Sequence, residues 1–301
     1  MISEPRPCPV CASSHSLATL FAQESIDQSK LTGFSFASRK DPEYMSHRLM
    51  RCRTCDLVYV ANAPHQRELA EAYHAADYDS SDEANDAAIS YVHALRPIMD
   101  RLFVRNSVLE IGAGNGVLLE FLREEYGFKE LIGVEPSSAA IAAAPSHRHG
   151  WLREGIFEES DFAENSLDLI CCFMTMEHVQ DPMKTAQAAF RLLKPGGVFV
   201  TVTHDYRSVV NRVLGKKSPI IDVEHMQIFS KRSIGQLFVR SGYRNITIKT
   251  FVNHYSISYW IRLAPIPAVI KVPLRNFLSA ISFGRFKIGL SVGNTISAGF
   301  K

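Results

Sequence analysis

Residues 107–137 decide the fold, and they read SVLEIGAGNGVLLEFLREEYGFKELIGVEPS. An apolar strand pattern runs into glycines at positions 112, 114 and 116, and a helix-period run of apolar residues follows. A second apolar strand then ends on Glu135. Glycines at such a turn let the backbone approach a ligand, and the start of the helix offers N–H groups to an anion. Because an acid at the tip of the next strand can accept hydrogen bonds from a ribose diol, the stretch predicts a nucleoside site at the carboxyl edge of a parallel sheet.

The spacing of the glycines distinguishes between two classes of cofactor. A dinucleotide site of the form G-x-G-x-x-G would need a glycine at position 117, where the chain has Val117. The form E-x-G-x-G-x-G, with Glu135 23 residues after Gly112, resembles instead the first motif and the acidic motif of class I S-adenosylmethionine (SAM) methyltransferases. This resemblance implies that Glu110 helps to hold the loop and the amino acid end of SAM, and that Glu135 binds both ribose hydroxyls.

Three further segments resemble the same family in the same order. Residues 165–182 are similar to its fourth strand and active-site tip, residues 191–203 to its lysine-proline-glycine-glycine turn and fifth strand, and residues 224–243 to the substrate-side loop of ubiquinone-pathway and sugar methyltransferases. The resemblance covers about residues 105–252. The residues that we expect to bind SAM are Glu110, Gly112, Ala113, Gly114, Gly116, Glu135, Pro136, Ile156, Phe157 and Phe173.

Methyl transfer from a sulfonium needs alignment and exclusion of water, and a hydroxyl acceptor also needs a general base. His178, His204 and His225 follow predicted strands at the substrate-facing edge. We expect His178, Glu177 and His225 to be catalytic, since both histidines belong to Glu-His pairs, although a histidine in such a place is more often a structural hydrogen-bonding group than a base. In ubiquinone-pathway relatives a carboxylate three residues before the first pair can bind a metal, and the chain has Met174 there.

Four of the six cysteines form two pairs with two-residue gaps, Cys8 with Cys11 and Cys52 with Cys55, and 40 residues lie between the pairs. Such pairs can present four thiolates to one tetrahedral ion, so the sequence predicts a zinc ribbon. The zinc would be structural, because four thiolates leave no open coordination position. The alternative is a set of reduced, unrelated cysteines.

Length and composition agree with a globular enzyme. The chain has 301 residues, 46% of them hydrophobic and 21% charged. The predicted fold class is α/β, a Rossmann-like, seven-stranded, mostly parallel sheet with helices on both faces, preceded by a small zinc ribbon. The predicted bounds are 1–62 for the ribbon, 63–104 for a helical linker and 105–301 for the SAM domain, with a basic, apolar insertion over 253–290. The pattern predicts weak turns in the linker around residues 79–82, strands over 107–111, 167–173 and 197–203, and a helix over 115–126.

Charge is distributed unevenly along the chain. After Glu224 there are eleven Lys and Arg residues and no Asp or Glu, whereas the whole chain has a net charge of +2. Residues 255–287 of this basic, aromatic tail are interpreted either as a peripheral membrane contact, for anionic lipid head groups or a phosphorylated acceptor, or as a cap over the substrate. The low total charge argues against a nucleic acid partner. We expect a cytoplasmic protein, since no apolar signal segment is visible, with peripheral attachment to the inner membrane face as a second option.

The sequence therefore predicts SAM-dependent methyl transfer to a small-molecule or lipid-linked acceptor of the sugar or quinone-precursor type. The linker helix carries Tyr78 and Tyr91, which the resemblance places over the cofactor or acceptor and which could equally be packing residues. Two alternatives remain: an NAD-dependent oxidoreductase, and a zinc-ribbon binding module whose cofactor fold is catalytically silent.

Overall fold

The computed structural model describes residues 5–38, 41–280 and 283–301, apart from the side chains at positions 268 and 279. Small parts of the predicted 1–62 and 253–290 segments therefore lie outside the described residues. The strands are β1 (Ala18–Ala22), β2 (Leu49–Cys52), β3 (Val58–Val60), β4 (Ser107–Ile111), β5 (Glu130–Glu135), β6 (Leu152–Glu154), β7 (Leu167–Phe173), β8 (Leu193–His204), β9 (Gln227–Ile228), β10 (Arg244–Thr250), β11 (Asn253–Ser256), β12 (Lys287–Leu290) and β13 (Asn294–Phe300). The α-helices are α1 (Gln66–His74), α2 (Ser81–Met99), α3 (Val117–Tyr126), α4 (Ser138–Ala142), α5 (Pro182–Leu192), α6 (Val209–Leu214), α7 (Lys231–Arg240), α8 (Ile257–Leu263) and α9 (Ala268–Ala280).

A seven-stranded sheet is the centre of the molecule, with the strand order β10-β13-β8-β7-β4-β5-β6. Strands β8, β7, β4, β5 and β6 are parallel neighbours. Strand β13 runs antiparallel to both β8 and β10. The predicted fold class is confirmed, including the antiparallel last strand. The carboxyl ends of β4, β5 and β7 meet at one edge, where the order of the strands along the chain reverses.

Local sequence explains where the helices beside this edge begin and end. Helix α3 follows Gly116 and ends at Gly127, and both glycines have the left-handed backbone that other residues rarely adopt. Helix α5 begins at Pro182, and the side chain of Asp181 accepts a hydrogen bond from the backbone N–H of Lys184. These signals fix the loops that carry the candidate site.

The amino-terminal segment forms a small antiparallel sheet that is joined to the larger unit. Its strands have the order β1-β2-β3-β9, so its last strand comes from the loop that follows Glu224 and His225. Its four cysteines belong to one hydrophobic cluster with Ile170 of β7 and Phe199 of β8. The predicted domain bounds remain predictions, but the ribbon and the sheet share a core rather than forming separate cores.

Helix α2 of the predicted linker and the insertion both pack on the face of the sheet that carries α3, whereas Leu69 of α1 packs with the small amino-terminal sheet. The linker is broken between α1 and α2, as the turn predicted around residues 79–82 requires, and α2 joins the hydrophobic cluster of β4 and β8. The insertion contains α8, α9 and the two-stranded sheet β11-β12. Its Tyr255 and Tyr259 are buried in the same cluster. In the part of the chain that the structure describes, no helix is both long and apolar enough to span a bilayer.

Candidate active site and metal centre

The glycine loop after β4 has a backbone that requires glycine. Gly112, Gly114 and Gly116 have φ angles of 78°, 53° and 72°. A Cβ atom on Gly112 would lie 2.2 Å from Oγ1 of Thr175, which follows β7. The loop therefore packs closely against the neighbouring strand end and presents bare backbone at the carboxyl edge of the sheet.

Glu135, at the end of β5, holds this loop. Its Oε2 accepts a hydrogen bond from the N–H of Gly114 at 2.7 Å, and its Oε1 accepts one from Ser137 at 2.8 Å. The side chain is buried, and this burial raises the pKa of the carboxyl group above its ordinary value of 4.5. A buried carboxylate in this position can accept further hydrogen bonds from the two hydroxyls of a ribose.

A cavity of about 940 Å³ opens at this edge of the sheet, which is large enough for a nucleoside and a second molecule. The predicted site residues that line it are Glu110, Gly112, Ala113, Gly114, Glu135, Pro136, Ile156, Phe157, Phe173, His178 and His225. Gly116 and Glu177 are not part of its lining. The residues present therefore fit a nucleoside cofactor: bare loop backbone, a buried acid, and the apolar side chains of Ile156 and Phe157.

His178 and His225 lie side by side in this cavity, at a ring-centroid separation of 4.8 Å. The side-chain ligand atoms of His178, Glu224 and His225 all lie within 4.8 Å of one another. Nδ1 of His225 is 2.9 Å from the carbonyl oxygen of Ile220. Because a carbonyl oxygen only accepts, Nδ1 of His225 carries the proton and Nε2 is the basic nitrogen.

Tyr73 of α1 completes this cluster, and the sequence analysis did not identify it. Its hydroxyl lies 2.8 Å from Nδ1 of His178 and 3.1 Å from the carbonyl oxygen of Glu224. Burial raises the pKa of the Tyr73 phenol well above its ordinary value, so the hydroxyl stays protonated at neutral pH. The only signal in the sequence was an aromatic residue in the linker helix, the same signal that pointed to Tyr78 and Tyr91. Both of these also line the cavity, and Tyr91 packs edge-on against Phe173.

Glu177, the third residue predicted to be catalytic, lies behind the cavity wall. It is fully buried, and its Oε1 accepts a hydrogen bond from the backbone N–H of His204 at 2.7 Å. The catalytic role of Glu177 remains a prediction, and in this geometry its carboxylate holds the backbone of His204 rather than facing the cavity. His204 itself lines the cavity, with its ring centroid 5.6 Å from that of His225.

The insertion forms the outer wall of the cavity, opposite the sheet. Tyr259, Trp260 and Leu263 line the cavity. Between them Arg262 points away and forms ion pairs with Asp41 at 3.0 Å and with acids near the start of α2. The acceptor side of the cavity is therefore enclosed by segments that are far apart in the sequence.

The four paired cysteines lie close together in the amino-terminal segment. The Sγ atoms of Cys8 and Cys55 are 3.4 Å apart, and those of Cys11 and Cys52 are 3.5 Å apart. A tetrahedron with Zn–S bonds of about 2.3 Å has sulfur–sulfur edges of roughly 3.8 Å. Hydrogen bonds from the Cys55 sulfur and from neighbouring backbone N–H groups lower the pKa of the Cys8 thiol, and the same pairing raises the pKa of the Cys55 thiol. The donor set therefore fits a four-thiolate zinc ion.

Comparisons with known proteins agree with this geometry. A family model described as a methyltransferase domain matches residues 81–248, just over half of the chain. The ubiquinone biosynthesis O-methyltransferase of Alkalilimnicola ehrlichii is 30% identical over 116 residues, which cover 36% of this chain and 46% of that relative. The protein of the same name from Pseudomonas fluorescens is 27% identical over 119 residues, which cover 36% of this chain and 49% of that relative. The chain thus spans about half the length of the curated relatives that it matches.

Two solved structures resemble parts of this chain with TM-scores just below 0.5. A SAM-dependent methyltransferase of Thermotoga maritima has a TM-score of 0.48 at 19% identity, over 71% of this chain and 89% of that chain. A SAM-dependent methyltransferase from Archaeoglobus fulgidus has a TM-score of 0.47 at 16% identity, over 71% of this chain and 94% of that chain.

Proposed function

The chain belongs to the methyltransferase-domain family and has the class I SAM-dependent methyltransferase fold, and on that premise we propose that it transfers the methyl group of SAM to a small-molecule or lipid-linked acceptor. One observation carries this proposal: a single cavity joins the glycine loop and Glu135 to the pair His178 and His225. The NAD-dependent oxidoreductase and the silent binding module are not retained, because the family is one of methyltransferases.

In this proposal the chain holds SAM by its two ends. Glu135 accepts hydrogen bonds from the ribose hydroxyls, and the loop at positions 112–116 packs on the methionine part. Ile156 and Phe157 contact the adenine. SAM supplies an electrophilic methyl group, so the protein needs to align the acceptor and exclude water rather than activate the donor.

His225 is proposed as the general base for the acceptor. Its Nδ1 proton is fixed by the carbonyl of Ile220, which leaves Nε2 as the nitrogen that can take a proton. His178 is adjacent and is oriented by the hydroxyl of Tyr73, so it can hold the same acceptor hydroxyl or take its proton. The proposed acceptor is of the sugar or quinone-precursor type, because such molecules present hydroxyls to a base and flat faces to the aromatic wall of Tyr259 and Trp260.

The four cysteines are proposed to bind a structural zinc ion. The support is the spacing of the sulfur atoms and the burial of all four side chains. Cys8, Cys11, Cys52 and Cys55 use every tetrahedral position, so this ion would stabilise the fold and take no part in methyl transfer.

The test combines binding and turnover. Calorimetry should show SAM and its demethylated product binding in the micromolar range, with no heat from NAD. Transfer from methyl-labelled SAM should then be measured on a panel of nucleotide sugars and a panel of dihydroxyphenyl compounds. With an active acceptor, His225→Gln should lower turnover by about 10²–10⁴-fold at unchanged SAM affinity.

The matched control is His93→Gln, which changes an exposed histidine of α2 outside the cavity lining. It should leave turnover unchanged. Binding of NAD without binding of SAM would reject the proposed cofactor. Full activity of His225→Gln would reject the proposed base while leaving the cofactor assignment intact.

A further inference from the structure

The outward side of α9 is apolar, which is the reverse of an ordinary surface helix. Val269 and Phe277 are 80% and 61% exposed, and Ile270 and Val272 are also exposed. Among the exposed side chains that the structure describes in this helix, Asn276 is the polar one. Surface helices normally bury their apolar stripe and present polar residues to water. An arrangement of the opposite kind needs a partner for the apolar side.

The opposite side of α9 is held against the rest of the insertion. Lys271 donates a hydrogen bond from its Nζ to the carbonyl oxygen of Arg262 at 2.8 Å. Leu278 faces Gly284, where an added Cβ would lie 3.6 Å from the Leu278 Cβ atom. These contacts fix the rotation of the helix, so that its apolar side faces outward.

The apolar surface continues onto the turn that packs against α9. Phe283 and Phe286 lie with their ring centroids 5.3 Å apart, and both are exposed. Together these side chains form the outer face of the insertion, which consists of Val269, Ile270, Val272, Phe277, Phe283 and Phe286. Clusters of exposed large apolar side chains usually mark interaction sites on soluble proteins.

Charge indicates which kind of partner fits this outer face. The chain from residue 225 to residue 301 contains no Asp or Glu. Within the described residues, Arg275 and Arg285 of the insertion form no ion pair, whereas Arg262 and Lys287 are paired with acids that lie between residues 41 and 86. The face is thus apolar, flanked by cations and free of acids in its own segment, a combination typical of helices that lie in the interface of an anionic bilayer.

A second copy of the chain fits this surface less well. A symmetric dimer brings the same patch of both subunits together, so the Arg275 and Arg285 side chains of the two copies would meet. Like charges across an interface are destabilising. We propose that the outer face of the insertion docks on an anionic lipid bilayer.

This docking would place the cavity next to the membrane. Trp260, Leu263 and Pro265 line the cavity, and α9 begins three residues after Pro265. An amphiphilic acceptor could then pass between the bilayer and the cavity without crossing water. The docking itself needs only the outer face, so it can be tested without SAM and without a known acceptor.

The experiment is vesicle flotation of the full chain at low and physiological salt. Vesicles of phosphatidylcholine alone are compared with vesicles that also contain phosphatidylglycerol. The wild type should bind the anionic vesicles more strongly, and the preference should shrink with salt, since the Debye length falls to about 8 Å at physiological strength. The double variant Arg275→Gln, Arg285→Gln should lower partitioning to anionic vesicles on the order of 20-fold, at about tenfold per 1.4 kcal/mol and about 1 kcal/mol per cation.

The double variant Val269→Ser, Phe277→Ser should lose binding to both kinds of vesicle. Phe103→Ser and Lys129→Gln are the matched controls, because both residues are exposed and lie near the amino edge of the sheet, away from the cavity. They should bind vesicles like the wild type. SAM affinity, measured by calorimetry without lipid, should be the same in every variant and shows that each is folded.

Absence of vesicle binding by the wild type at low salt would overturn the proposal. A dimer that Val269→Ser, Phe277→Ser dissociates, without any vesicle binding, would overturn it in favour of a second copy as the occupant. Failure of SAM binding in all proteins would bear on the proposed function alone, because the vesicle assay contains no SAM.

Discussion

Replacing Glu135 by glutamine tests the cofactor site at its most specific contact. The carboxylate accepts the N–H groups of Gly114 and Ser137 with separate oxygens. A glutamine amide has one oxygen and one NH₂ group, so it can accept only one of these hydrogen bonds, and it loses the charge that strengthens hydrogen bonds from the ribose hydroxyls. Loss of a hydrogen bond to a charged group costs about 1.5–3 kcal/mol, which corresponds to a roughly 10- to 150-fold rise in the Kd for SAM.

Titration calorimetry with SAM measures this change directly. The matched control is Glu130→Gln, which makes the same substitution at the exposed start of the same strand and should leave the Kd unchanged. Thermal unfolding of both variants separates lost binding from lost folding. A wild-type Kd for Glu135→Gln would show that the carboxylate does not face the ribose.

The same residue gives SAM binding a pH dependence with a defined sign. Burial raises the pKa of Glu135 above 4.5, against the opposing effect of the N–H groups of Ser137 and Gly114. Ribose hydroxyls donate to the ionised carboxylate, so SAM affinity should be full well above this pKa and should weaken as the pH falls through it. Glu135→Gln has no proton to lose there and should show a flat profile over the same range. An equal pH dependence in both proteins would assign the titration to another group.

Three further predictions concern stability and the loop. Cys52→Ser should abolish zinc binding and lower the unfolding temperature of the whole chain in a single transition, because the cysteines share a core with the large sheet. Elemental analysis measures the zinc and scanning calorimetry measures the unfolding. Two separate transitions would contradict this prediction. Arg6→Gln should cost about 3 kcal/mol in urea unfolding, since the guanidinium donates to three backbone carbonyls, while Arg53→Gln on the surface should cost little. Gly112→Ala should abolish SAM binding, because the added Cβ would clash with Oγ1 of Thr175 beside the loop. Gly150→Ala should bind SAM normally, since an added Cβ there meets nothing within 4 Å. SAM binding by both variants would disprove the steric requirement at Gly112.

The central sheet was predictable because its signals are local. The bounds of β4 and β7 match the predicted strands 107–111 and 167–173, since each is a short apolar run bounded by turn residues. Helix α3 begins two residues later than predicted, because Gly116 takes the left-handed position before it. Strand β8 begins earlier than predicted, at Leu193, where its pairing with β7 shifts register before Val198. A shift of this kind depends on the partner strand and has no local pattern.

The candidate site was predictable only where one motif supplied the residues. Glu135 and the glycine loop follow from a single stretch of sequence. Tyr73 and His178 are 105 residues apart, and nothing local to either residue predicts their hydrogen bond. The burial of Glu177 was missed for a related reason, because the Glu-His pair gives no indication of which member faces the cavity. The shared core of the ribbon was likewise set by long-range packing rather than by the spacing of the cysteines.

The pairing of β3 with β9 has a consequence for any attempt to trim this protein. β9 begins two residues after His225, and β3 is its neighbour in the small sheet. Arg6 also donates hydrogen bonds to the carbonyl oxygen of Gln180, between β7 and α5, and to that of Met226, next to His225. A fragment starting at residue 63 would keep the whole matched family region. It would, however, remove the strand that pairs with β9 and the Arg6 contact to the carbonyl oxygen of Met226. The smallest active unit should therefore begin before Arg6. The amino-terminal segment supplies part of the cavity lining, through Phe36 and Pro42 among others, so it belongs to the site and is not a separate domain attached to it.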